Sequence, residues 1–187
     1  MGKVYEAITD GVRAWVDAQP MFFVSTAPLA ADGHVNSSPR GHDALRILGP
    51  HRLAWMDLTG SGAETIAHLK ENARICVMLC AFEGAPRIMR FHGRGQVHAL
   101  GSPEFAALAP AFPDLPGARA IIEVEVQRIA DSCGYAVPRM EVIEQRDVLV
   151  NWAEKRGVDG LEAYRQECNA SSLDGLPAWD GAIANDD

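Results

Sequence analysis

The chain lacks what a nucleic-acid or membrane protein needs. Its 17 Lys and Arg stand against 25 Asp and Glu, a formal net charge of −8, so neither a polyanion nor an anionic lipid surface is an expected main partner. No stretch approaches the ~20 consecutive apolar residues that cross a bilayer. The first residues scatter charges among apolar side chains, where a signal peptide would carry a basic start and an unbroken apolar run. The expectation is a cytoplasmic protein, and without secretion the glycosylation pattern Asn169-Ala170-Ser171 has no use.

Metal and nucleophile signatures are missing too. Cys76, Cys80, Cys133 and Cys168 form no Cys-x-x-Cys pair, so they are expected as core thiols and not as zinc ligands. His92 and His98 share a strand face, but six residues at roughly 3.3 Å each put them about 20 Å apart, too far for one metal. No phosphate loop ends in Gly-Lys-Ser/Thr, and Gly60-Ser61-Gly62 is followed by Thr65 where the dinucleotide fingerprint needs its third glycine. A Gly-x-Ser-x-Gly elbow is absent, which sets hydrolase triads aside. No side chain stands out as an acid or base, so no catalytic residue is assigned.

What is present fits one domain spanning residues 1–187, since a chain of about 150 residues buries roughly 70% of its unfolded surface. Val4, Ile8, Val12 and Trp15 recur at helical spacing until Gln19-Pro20, which predicts a helix over 3–18 within an N-terminal segment 1–19. Residues 21–28, rich in Phe and Val, and the more polar 34–40 read as strands joined at Asp32-Gly33. Gly49-Pro50 breaks the chain ahead of a strand at 52–57. A helix follows at about 62–71, then apolar strands at 74–82 and 87–99. Ser102 caps a helix with Pro103 first, ending near Phe112, and Ile122, Val124 and Val126 alternate in a sixth strand. Six strands with few helices between them predict a mainly β, α+β fold over 20–130, an antiparallel barrel or sandwich and not a doubly wound parallel sheet. Helices at 147–156, stopped by Gly157, and at 160–168, then an extended tail from Ser171 with acidic last residues, complete 131–187.

The most informative stretch runs from Trp55 to Asn72, an apolar strand passing through Thr59-Gly60-Ser61-Gly62 into a helix. Ser61 with Glu64 has capping-box spacing, and the glycines let backbone N–H groups approach a bound group. A phosphate suits the positive end of that helix, with the hydroxyls of Thr59, Ser61 and Thr65 as further donors. The alternative is a cap and nothing more. The strand Asn36-Ser37-Ser38-Pro39-Arg40-Gly41 is polar where a half-buried strand would continue in Val or Ile. It reads either as an exposed edge or as the floor of a ligand site.

Val24-Ser25-Thr26, Asp32-Gly33, the polar strand 36–41, the stretch 55–65 and the strand 87–95 follow one another as in a known family. Over about 20–130 the chain resembles the pyridoxamine 5'-phosphate oxidase-like flavin-binding split barrels. The resemblance implies a homodimer holding FMN at the subunit interface and a small-molecule substrate that passes hydride to the flavin. It places Asn36, Ser37, Ser38 and Arg40 against the isoalloxazine, Met56 and Asp57 at the strand end, and Thr59, Ser61 and Thr65 at the phosphate, with Arg87 as an additional phosphate partner. The authentic oxidase has an Arg-Lys pair in the turn and a C-terminal Arg-x-His motif. Here Gly62-Ala63 and Glu64-Thr65 occupy the turn and the tail lacks that motif, so vitamin B6 oxidation is not expected. The tail from Cys133 to Pro177 looks like that of a related bacterial subgroup. A flavin carrier or sensor without turnover, or a barrel holding haem or a deazaflavin, is the alternative.

Overall fold

A computed structural model describes residues 2–181. Among them are eight strands, β1 (Val4–Tyr5), β2 (Phe22–Thr26), β3 (Asn36–Arg40), β4 (Leu45–Gly49), β5 (Arg52–Leu58), β6 (Arg74–Cys80), β7 (Ile88–Ala99) and β8 (Ala118–Ser132). Four helices accompany them, α1 (Asp10–Asp17), α2 (Glu64–Asn72), α3 (Pro103–Leu108) and α4 (Val148–Cys168). All strand pairs are antiparallel, in the order β3-β2-β6-β7-β8-β5-β4, with β1 added to β8. The fold is a split barrel, mainly sheet with helices around it, whose open edges are β3 and β4.

Alternation builds the core. Ile75, Val77 and Leu79 of β6 and Met89 and Phe91 of β7 are buried, each two residues from the next and so on one face. In β5 every residue from Leu53 to Leu58 is buried, because both faces of that strand are covered. Trp55 meets Phe22 edge to face with ring centroids 5.9 Å apart, an arrangement that aromatic quadrupoles favour. The long β7–β8 ladder shifts register between His92 and Gly93. A Cβ at Gly93 would lie 2.1 Å from the Glu125 carbonyl oxygen, so only glycine lets the strands approach there, and the irregularity bends both strands into the barrel.

Several expectations are corrected. The helix predicted over 3–18 spans only Asp10–Asp17, because the Thr9 hydroxyl accepts from Val12 N at 3.3 Å as its N-cap and residues 4–5 pair with Ala130 and Ile129 instead. Strand β4 was not expected at all: Gly49-Pro50 marks the turn between two paired strands, not a break before one. Asp32-Gly33 is not a two-residue hairpin turn. Thr26 pairs with Asn36, which leaves 27–35 as the connection, with Gly33 N donating to Ala30 O inside it. Of the supposed core thiols only Cys80 is buried; Cys76 is half-buried, and Cys133 and Cys168 are exposed. The tail forms an isolated bridge between Ser171 and Pro177 and buries Trp179, and the acidic last residues lie outside the described ones.

The two helices expected near the C-terminus are present as the two halves of α4, separated at Gly157, whose φ of 65° and ψ of 178° are not helical. That backbone conformation is essentially reserved for glycine, while nothing lies within 4 Å of an added Cβ. Gly157→Ala is therefore expected to cost about 1–3 kcal/mol through backbone strain alone, seen as a lower urea midpoint at an unchanged denaturant slope.

Candidate functional site

Strand β3 is an edge, and its pleat divides its side chains. Asn36, Ser38 and Arg40 are half-buried while Ser37 and Pro39 are exposed. Ser38 Oγ donates to Asn36 Oδ1 at 3.0 Å. Asn36 Nδ2 donates to Thr65 Oγ1 at 3.0 Å and, more weakly, to Thr26 Oγ1 at 3.4 Å, so β3 is fastened to the first turn of α2. At the other end of the strand, Arg40 Nη2 lies 3.2 Å from Asp57 Oδ1.

Asp57 closes β5 with a carboxylate that is 0% exposed. Arg119, at the start of β8, donates from Nε to its Oδ2 at 2.7 Å. Burial alone would raise the pKa of this carboxyl, but the Arg119 and Arg40 charges, with the hydrogen bond from Arg119, outweigh it and hold the group below its ordinary range. Arg119 is bonded through all three of its nitrogens: besides Nε, Nη1 donates to Asn169 Oδ1 at 2.8 Å and Nη2 to Gly62 O at 2.9 Å. Asn169 Nδ2 donates to Gly60 O at 3.0 Å. Arg165 of α4 donates to Thr59 Oγ1 at 2.8 Å and to Ala118 O at 3.0 Å. The C-terminal helix thus grips the turn between β5 and α2 from behind.

In front of that turn is an open pocket of about 270 Å³, walled by Ser38, Arg40, Ser61, Glu64, Thr65 and Arg119 among others. Its groups suit an oxyanion. Arg40 Nε is buried without a partner, and the Ser61 hydroxyl is exposed with no hydrogen bond among the described residues. A phosphate or carboxylate oxygen would satisfy both, since guanidinium and hydroxyl donors form short, charge-assisted bonds to such groups. Glu64 is the opposing charge in the same wall.

Within one protomer the structure brings together Ser38, Arg40, Ser61 and Thr65 at the pocket, with Asn36 and Asp57 directly behind them. It does not bring the others. Ser37 faces away, its Oγ 3.4 Å from Ser25 Oγ. Met56 is in the hydrophobic core. The Thr59 hydroxyl is consumed by Gly117 O, to which it donates at 2.8 Å, and by Arg165. Arg87 sits at the far end of β8 from Arg119, paired with Asp131 at 3.2 Å, bonded to the Tyr5 hydroxyl and stacked on Trp15. Ser61 is not the helix cap either: α2 starts after Ala63, with no side-chain cap, which leaves the serine free to face the pocket. Arg119, Asn169 and Arg165 were not expected. The one signal for Arg119 was a lone cation opening the apolar run Ala118-Arg119-Ala120-Ile121-Ile122.

Because Asp57 titrates lower in the folded chain than its unfolded value of about 4, its stabilising contribution is full above that value and is lost as pH falls through the folded one. Asp57→Asn, which strands two guanidinium groups, is expected to cost about 3–5 kcal/mol at neutral pH. Its unfolding free energy, followed by urea titration from pH 7 downward, should also fall less steeply in acid than that of the wild type.

Comparison with known proteins agrees with the fold. A family model described as pyridoxamine 5'-phosphate oxidase matches residues 8–133. The pyridoxamine 5'-phosphate oxidase family protein ustO of Aspergillus flavus is 37% identical over 198 aligned residues, covering 96% of this chain and 78% of that protein. Among solved structures, a variant of HupZ from Group A Streptococcus superposes with a TM-score of 0.55 at 21% identity, over 67% of this chain and 99% of the other. A candidate pyridoxamine 5'-phosphate oxidase of Lactobacillus delbrueckii gives 0.50 at 16% identity, over 68% and 98%. At these identities the structural likeness bears on the fold alone, but the family match spans most of the chain. The chain belongs to the pyridoxamine 5'-phosphate oxidase family.

Proposed function

We propose that the chain binds FMN and works as an oxidoreductase on a small molecule, as a cytoplasmic homodimer with the flavin at the subunit interface. The observation that carries this reading is the convergence of Arg40, Ser61 and Thr65 on one pocket at the seam of the barrel, with a buried guanidinium nitrogen that has no partner. The terminal phosphate of FMN fits that donor set, and the ring system would then extend along Asn36 and Ser38 of β3. Bound flavin supplies the hydride chemistry.

The chain's own residues bind and orient. Arg40, held at its Nη2 end by Asp57, offers Nε to the ligand, and the Ser61 and Thr65 hydroxyls add bonds from the turn and the helix. Glu64 supports a role other than oxidation of pyridoxamine phosphate, since it puts a negative charge in the wall where the resemblance puts basic residues in the authentic oxidase. Arg87 and Ser37 face elsewhere in the protomer, so any part they play would come through the second subunit or through the backbone.

The test begins with colour: protein purified without added cofactor should be yellow and release FMN on denaturation. In calorimetric titration with FMN, Arg40→Ala and the double change Ser61→Ala with Thr65→Ala should each weaken binding by about 1–3 kcal/mol. Glu64→Gln should tighten it by about 0.5–1 kcal/mol by removing a like charge. A colourless protein that ignores added FMN overturns the reading, and reduction by nicotinamide cofactors no faster than that of free FMN would leave a carrier in place of an enzyme.

A further inference from the structure

Asn169 does not line the pocket, yet its side chain is committed at both ends. Its Oδ1 accepts from Arg119 Nη1, and because a guanidinium only donates, the other end of the amide is the NH2 group. That group donates to Gly60 O at 3.0 Å, while Arg119 Nη2 donates to Gly62 O at 2.9 Å. Two carbonyls of a three-residue turn are therefore drawn to the interior by side chains that are 0% and 1% exposed.

The consequence is on the opposite side of each peptide plane. With no cis bonds among the described residues, every C=O there points away from the N–H of the next residue. Pinning Gly60 O inward turns the N–H of Ser61, a residue of the pocket wall, outward. Among the described residues that N–H has no acceptor in the chain, whereas Thr59 N, two residues before it, is bonded to Gly117 O at 2.8 Å. An outward N–H ahead of a helix is a ready donor to an anion. Arg40 Nε, unpartnered, belongs to the same pocket.

We propose that Asn169, oriented by Arg119, is a positioning residue that sets the Gly60–Ser61 peptide plane so that the Ser61 N–H is aimed at a phosphate monoester. The inference rests on the reading of this pocket as the phosphate end of the flavin site. It makes the C-terminal tail, 50 residues beyond Arg119, part of what distinguishes FMN from riboflavin.

Two measurements test it. In amide NMR of the wild type titrated with inorganic phosphate, the Ser61 signal should shift saturably, and Asn169→Ala should abolish that shift. In calorimetric titrations, Asn169→Ala should weaken FMN about tenfold or more and riboflavin less than about twofold. A purely structural role would lower both affinities alike. Equal losses for the two flavins, or phosphate binding that leaves the wild-type Ser61 amide unmoved, overturn the proposal. The second of these holds even where the variant fails to fold. A wild-type Ser61 amide that responds to phosphate in a protein that ignores FMN would support this inference while removing the flavin reading.

Discussion

The site depends on one carboxylate, Asp57, buried between two guanidinium groups. A buried charge of this kind is tolerated only when its partners are complete, because desolvation costs several kcal/mol per ion. Arg119 meets Oδ2 at 2.7 Å and Arg40 approaches Oδ1 at 3.2 Å, and each partner comes from a different part of the barrel. Arg119 is the neighbour of β5 in the ladder. Arg40 belongs to the edge strand β3, five steps from β5 along the strand order. The ion pair therefore closes electrostatically a seam that backbone hydrogen bonds leave open, and the pocket forms where that closure occurs.

From Asp57 the constraint spreads outward through Arg119, each of whose three nitrogens makes a hydrogen bond. Orienting Arg119 for Asp57 also fixes where its two terminal nitrogens point, toward Asn169 and toward Gly62. Loss of any one member leaves another buried and unpaired, so the network is expected to fail as a unit, as dense polar clusters in low dielectric do. This ties the stability of the C-terminal helix to the geometry of a turn more than a hundred residues earlier, through Asn169 to Gly60 and Arg165 to Thr59.

The sequence made the strand, glycine turn and helix around residues 55–72 readable, because alternation, glycine and helical spacing are local signals. The polar strand at 36–40 was readable for the same reason. Its division into pocket-facing Asn36, Ser38 and Arg40 and outward Ser37 needed the pleat's phase, which depends on how β3 pairs with β2. Strand β4 was hidden by Arg46, whose charge interrupts the apolar pattern and whose guanidinium binds Asp43 and Ala111 O. Arg119 and Asn169 left almost no trace: one looked like the polar start of a strand, the other like part of a glycosylation pattern. Their roles arise from contacts 50 to 109 positions apart, and nothing in a local window encodes such a contact.

The charge balance of the pocket decides how an anion can be held there. Arg40 and Arg119 face Asp57 and Glu64, so the formal charges cancel, and much of each guanidinium's field is directed at the buried carboxylate. Attraction at a distance is therefore weak, and a phosphate gains most only once it is in hydrogen-bonding contact with the free Arg40 nitrogen, the hydroxyls and the outward Ser61 N–H. Such contacts are short-ranged and directional. They discriminate by geometry where a basic patch would discriminate by charge, which favours one monoester seated in one orientation over anions in general. On the proposed reading, the selectivity of this barrel for its ligand lies in the rigidity of residues 60–63, and that rigidity is set by Arg119 and Asn169 acting from behind.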